Sequence, residues 1–341
     1  MSIIVIGIDL AKNIFAVHGV NENGKAELVK PKVSRDQLLP LIANLPPCTI
    51  GMEACSGAHH WARLFRQHGH SVKLVAPKFV TPYRMSGRRG KNDAADAAAI
   101  CETITRPHMR FVPIKEQHQQ IILCLHRTRQ GFVEERTATY NRLRGLISEF
   151  GIVLPQKVTG LRQHLGRHLD ELPGYSKQCI NDLLAHADQL DLRIADYDKI
   201  IAQAAREDAR SRRLMERPGI GPIGASALLA SIGNGHDFKN GRQVAAWLGI
   251  TPGQHSSGGK ARLGHITKAG DSYLRSLLVM GARAVLNSLG DKQDYFSCWA
   301  RSLVERRGYW RAVVAIAAKN ARVAWAVLKY GEAFRMNKSD A

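Results

Sequence analysis

The sequence predicts an α/β region with a mixed sheet followed by a mostly α-helical remainder, and three observations carry that reading. Short β-branched runs alternate with helix-start signals through the first hundred residues. A 4-3-4-3 apolar spacing extends from Leu183 to Ala204. Beyond Arg217, short helical patterns are separated by glycine-rich loops. The 341 residues suffice for two or three domains of about 100–200 residues each.

Ile3–Asp9 (IIVIGID) is an apolar run of the kind buried in a sheet. Ile14–Val20 is a second strand after the turn at Lys12-Asn13, and NENGK at 21–25 connects it to a third, Ala26–Val33. Ser34, followed by Asp36 and an apolar pattern, starts a helix that reaches Asn44. Cys48–Glu53 is a fourth strand, Gly57–His68 a helix and Ser71–Ala76 a fifth strand. Asn92 caps an alanine-rich helix over Asp93–Thr105. Hairpin-ordered strands followed by βαβα units give a mixed sheet.

A long helix over Gln117–Phe150 ends on Tyr140, Leu143, Ile147 and Phe150. Leu154-Pro155 and Pro173-Gly174 then break the chain. Leu183, Ala187, Leu190, Ile194, Tyr197, Ile201 and Ala204 form a coiled-coil seam, which serves either a hairpin within the chain or self-association. Leu274–Leu289, Tyr295–Arg306 and Trp310–Tyr330 are the clearest later helices. These breaks suggest domains at 1–112, 113–212 and 213–341.

Hydrophobic residues at 45% and charged residues at 23% exclude wholesale disorder. Lys and Arg number 49 against 29 Asp and Glu, a net charge of +20. From Arg206 onward the count is 22 against 10, so most of the excess lies near the C-terminus. Such an excess repels itself unless a polyanion shares the surface, and nucleic acid is the first expectation. Ile3–Ile8 is too short for a secretory signal, and Pro218–His236 carries too many glycines for a spanning helix. Six scattered cysteines without CxxC spacing fit free thiols in a reducing cytoplasm and argue against a zinc site.

Three constellations carry chemistry. Asp9 and Glu53 close two strands, and Asp93 and Asp96 lie three apart on one helix. Carboxylates gathered at strand ends repel each other unless hard cations such as Mg²⁺ or Mn²⁺ neutralise them. Each acid alone also fits a structural role, Asp93 and Asp96 as first-turn residues favoured by the helix dipole. The second constellation is Arg217–Gly233, half of a helix-hairpin-helix, whose Gly219 and Gly221 let backbone amides approach a phosphate or merely let helices pack. The third is TPGQHSSGGKARLGHITKAG at 251–270, where Ser256 and Ser257 precede Lys260, Arg262 and Lys268. A serine beside phosphate-binding cations can be a nucleophile, although Ser-Gly loops are common without that role. RMSGRRGK at 84–91, with Arg88, Arg89 and Lys91, is a further backbone-contacting strip or a solvated loop.

Taken together, GIDLAK, GMEACSG, KNDAADA, RPGIG and LGITPGQHSSG…ITKAG resemble the bridge-RNA-guided DEDD transposases of bacterial insertion sequences, relatives of the Piv DNA invertases. The resemblance runs over nearly the whole chain. It implies a RuvC/RNase H-like N-terminal domain, a helical coiled-coil linker and a mainly helical C-terminal transposase domain. It implies that Asp9, Glu53, Asp93 and Asp96 hold Mg²⁺, with Mn²⁺ as a substitute, and that Ser257 is the nucleophile, with Ser256 as the alternative. It further implies a covalent protein–DNA intermediate, donor and target DNA, a structured guide RNA, and a dimer or tetramer that pairs the acids of one subunit with the serine of another. Two other readings stay open: a RuvC-like junction nuclease using metal-bound water, and a non-catalytic nucleic-acid-binding scaffold.

Overall fold

The computed structural model describes residues 3–84, 93–256, 260 and 262–332, in two compact units that divide between Glu116 and Gln117. In the first, β1 (Val5–Asp9), β2 (Ile14–Val20) and β3 (Ala26–Ser34) run antiparallel. Helix α1 (Arg35–Ala43) leads to β4 (Thr49–Glu53), and α2 (Ala58–Gln67) leads to β5 (Ser71–Val75). β4 joins β1 in parallel and β5 joins β4 in parallel. After α3 (Pro77–Val80), a 3₁₀ turn at Thr81–Tyr83 and α4 (Asp93–Ile104), the two-residue strand β6 (Phe111–Val112) closes the far edge. The mixed sheet has the order β3-β2-β1-β4-β5-β6. The expected strands and helices are all there, and β6 was too short to announce itself. Ser34 occupies the cap position of α1 without a side-chain hydrogen bond to the helix.

Alternation along the strands sorts the two faces. Ile6, Ile8, Ile50 and Met52 pack with Trp61 and Phe65 in one core. On the other face, Val5 packs with Ala99, Ile100, Cys101 and Ile104 of α4. Gly7 stands opposite Gly51 in the parallel register, on that second face. A Cβ at Gly7 would lie 2.6 Å from the Cys101 amide nitrogen, and one at Gly51 would lie 2.6 Å from Ile104 Cδ1. The two glycines therefore make the floor on which α4 rests.

The second unit begins with α5 (Gln117–Ser148), α6 (Val158–His168) and α7 (Ser176–Glu207). Ala187, Leu190, Ile194 and Ile201 of the seam are buried. Arg129 pairs with Asp198 and Arg136 with Asp191, so α5 and α7 run antiparallel within one chain. The seam thus lies in a hairpin within the chain, one of the two uses that its spacing allows. Proline and leucine breaks hid α6, whose Leu161 and Leu165 plug the end of the hairpin beside Leu143 and Ile147.

Helices α8 (Ala209–Met215), α9 (Pro222–Ile232) and α10 (Gly241–Trp247) follow, then the hairpin β7 (Pro252–Gln254) and β8 (Leu263–Ile266). The chain ends in α11 (Ser272–Asn287), α12 (Tyr295–Arg307) and α13 (Tyr309–Tyr330) around a core of Leu228, Leu278, Ile316 and Trp325. Asp208, Asn240, Asp271 and Asp294 cap α8, α10, α11 and α12, each accepting backbone N–H bonds. Among the described residues, no helix is long and apolar enough to cross a membrane.

Candidate active site

Asp9 and Glu53 end adjacent parallel strands, and continuing the register from Ile8–Met52 sets them side by side. Period two puts both on the α4 face, with Gly7 and Gly51. The Cys55 thiol is pushed above its ordinary value by desolvation first, then by the charges of Glu53 and Asp9. Both carboxylates therefore act on one small region. The glycine floor brings α4 down there, and Asp96, in its first turn, is buried with a side chain only 3% exposed. Asp93, the first residue of the helix, stays exposed.

Arg84 stands among these acids. Its Nε lies 2.6 Å from Asp96 Oδ1, and its Nη2 lies 3.3 Å from Glu53 Oε1. The close Arg84–Asp96 contact lacks hydrogen-bond geometry, so it is held by charge more than by direction. The sequence reading sets Arg84 at the start of a basic strip that either contacts a nucleic-acid backbone or is solvated; the 3₁₀ turn at Thr81–Tyr83 instead delivers it to the acids. Arg88, Arg89 and Lys91 lie outside the described residues.

A metal fits this donor set in chemistry, since oxygen ligands select hard cations and a guanidinium already stands in for positive charge. As arranged here, no three His, Cys, Asp or Glu side chains among the described residues converge closely enough to hold an ion. Loading the site would need Arg84 to withdraw from Asp96 and Glu53, and Asp93 to turn toward them.

In the second unit, the β7–β8 hairpin extends by a bond from the His255 amide to the Arg262 carbonyl, 2.9 Å. Ser256 Oγ accepts from Gln254 Nε2 at 2.9 Å and from the Arg262 amide at 3.3 Å. Ser257 lies outside the described residues. Lys260, Arg262 and Lys268 are exposed on and below this hairpin. Lys268 adopts a left-handed φ of 53°, rare for a side-chain-bearing residue, while its amide donates to the Gly249 carbonyl.

Gly219 has a φ of +87°, and a Cβ there would stand 2.9 Å from the Gly281 carbonyl oxygen of α11. Asn320 Nδ2 donates to the Pro218 carbonyl at 2.9 Å and its Oδ1 accepts from Arg217 Nε at 2.8 Å. The Pro-Gly-Ile-Gly turn is thus clamped to α11 and α13, while Gly221 beyond it is exposed. The sequence reading missed one buried network. His126 Nε2 is 3.1 Å from Ser226 Oγ and its Nδ1 is 2.9 Å from the Tyr273 hydroxyl, which joins α5, α9 and α11. Burial, helped by the charge of Arg129, lowers His126 to about 4.

Residues 211–296 match the family described as "Transposase IS116/IS110/IS902 family", and residues 6–152 match a DEDD transposase family of the IS110 type. The "Probable family 20 transposase" of Pseudomonas aeruginosa is 43% identical over 340 residues, covering 98% of this chain and 99% of that relative. The "Transposase for insertion sequence element IS1111A" of Coxiella burnetii is 38% identical, covering 97% and 91%. That for IS1328 of Yersinia enterocolitica is 36% identical, covering 98% and 99%.

Proposed function

Since this chain belongs to the IS110/IS116/IS902 family of transposases, enzymes that cut and rejoin DNA, we propose that it moves its element by metal-assisted serine attack. The observation that carries this reading is the meeting of Glu53 and Asp96 on one cation beside strand-end Asp9. Asp9, Glu53, Asp93 and Asp96 would hold Mg²⁺, or Mn²⁺ in its place. That ion would stabilise charge developing on the scissile phosphate oxygens.

The chain's own residues do the rest. Arg84 keeps the carboxylates from repelling one another before loading, then turns outward toward the incoming backbone. Lys260, Arg262 and Lys268 neutralise phosphates at the hairpin, and exposed amides at Gly221 add a contact indifferent to sequence. Arg88, Arg89 and Lys91, shortly before Asp93 in the sequence, would add further backbone contacts. Ser257 Oγ attacks the phosphorus and gives up its proton to solvent; the P–O bond to the other DNA end breaks, and that end takes a proton from solvent to leave as a hydroxyl. Ser256, whose Oγ already accepts two hydrogen bonds, serves the hairpin's shape. A structured RNA that pairs with donor and target DNA would supply sequence choice to a protein whose cations meet backbones. A dimer or tetramer would let one subunit's acids act with another's serine. Such a protein would work in the bacterial cytoplasm at the nucleoid.

Asp9→Asn removes one ligand charge and leaves the basic surfaces intact. We expect DNA binding to survive, read by gel shift, while strand cleavage is lost in the same preparation. Normal cleavage by the Asn variant would end the metal-site reading. Cleavage by the wild-type protein that never yields a covalent adduct would favour a water-attacking nuclease.

A further inference from the structure

From the surface where α11, α12 and α13 meet, we infer that Trp310 is a stacking platform for unpaired bases of single-stranded DNA. Trp310 is 64% exposed, more than any other of the five tryptophans, while Trp61 and Trp325 are buried. An indole offers a broad apolar face on which a flat ring can stack, with its N–H free for a polar partner. The ring is held in place: Tyr309 meets it edge-on at 5.2 Å, and Arg283 of α11 lies over it at 5.6 Å.

Charge decides what kind of partner fits. Arg306, Arg307 and Arg311 stand within four residues of Trp310, and all three, like Arg283, are exposed. Glu305 is the only acid between Tyr295 and Arg311. On α5 and α6, Arg129, Arg136 and Arg162 each hold an aspartate of α7. Among the described residues, none of the four arginines Arg283, Arg306, Arg307 and Arg311 takes part in an ion pair. An apolar protein partner would leave these four cations unmatched, whereas a phosphate backbone matches them.

The aromatic face then selects the form of nucleic acid. Bases in a duplex already stack on one another, so an indole gains most from a base that is unpaired. Cutting and exchanging DNA strands frees such bases, which is why DNA is the source the family's activity supplies. The inference rests on that DNA substrate and on neither the metal nor the serine.

The test is fluorescence anisotropy in chelator, with a labelled oligothymidylate of about 15 nucleotides, the matching duplex and an oligouridylate of equal length. Trp310→Ala should weaken oligothymidylate binding about tenfold and leave duplex binding within about twofold. Trp310→Phe should retain most of the affinity, and Arg283→Ala should lose less than Trp310→Ala. Thermal melting of each variant checks folding, which an exposed ring should hardly affect. Equal oligothymidylate binding by Trp310→Ala and wild type would overturn the inference, as would an equal loss on duplex. A loss confined to oligouridylate would also overturn it, by moving the surface to RNA. Wild-type protein that binds no DNA at all would instead bring down the broader functional reading with it.

Discussion

Asp96 is nearly fully buried, and a carboxylate in that position needs a cation close by. Arg84 supplies it. Replacing Arg84 with Gln should destabilise the metal-free protein by about 3 kcal/mol, because a buried charge loses its partner. The same change should raise Mn²⁺ affinity about tenfold, since no guanidinium has to be displaced first. Manganese spin resonance on metal-free protein reads the second effect, and equal affinity for both proteins would contradict it. Asp9 and Glu53 were legible in the sequence because each closes a strand whose apolar run is unmistakable. The different fates of Asp93 and Asp96 were not legible, because a three-residue spacing leaves them on one broad helical face. Arg84 was hidden for another reason: its role depends on a 3₁₀ turn after β5, and no periodic pattern announces that turn.

At the scale of elements, α4 matters because it carries Asp96 to the strand ends, and it lies there only because Gly7 and Gly51 have no side chains. Gly7→Ala drives a methyl group into the α4 backbone at Ala97 and Cys101. We expect a loss of about 1–3 kcal/mol and of cleavage together, with DNA binding by the second unit retained. Chemical denaturation and gel shift separate those outcomes; an unaltered protein would mean that α4 is not seated as described. The long helices were legible from their apolar spacing, but that spacing alone does not say whether the seam meets its own chain or another. The ion pairs Arg129–Asp198 and Arg136–Asp191 show α7 lying against α5 of its own chain. The β7–β8 hairpin escaped notice because three- and four-residue strands beside a Ser-Gly loop have too few alternations to read. His126 binds α5 to α9 and α11 as a neutral ring, lowered to about 4 from its ordinary 6.5 by burial and by Arg129. The unfolded chain takes up this proton near 6.5, whereas the folded one resists it until about 4. Stability should therefore fall by up to about 3 kcal/mol as pH drops across that window, and His126→Gln should flatten part of the slope. A slope identical in both proteins would show that the proton is taken up elsewhere.

For the whole molecule, the net charge of +20 and the family membership agree on a partner that is a polyanion, and in a transposase that partner is DNA. The acids are in the first unit and the serine block is in the second, so the proposed chemistry requires contributions from both. On the proposed chemistry, Ser257 joins the protein to DNA with the help of a metal that the acids would hold. A denaturing gel of end-labelled donor DNA, incubated with Mg²⁺, tests it most directly. Wild-type protein should give a detergent-resistant protein–DNA adduct, and Ser257→Ala and Asp9→Asn should each lose it while still folding and binding DNA. Mixing the two inactive variants should restore part of the product if the acids and the serine act across subunits. An adduct that persists in Ser257→Ala, or strand cleavage by wild type with no adduct at any time, would rule out Ser257 as the nucleophile.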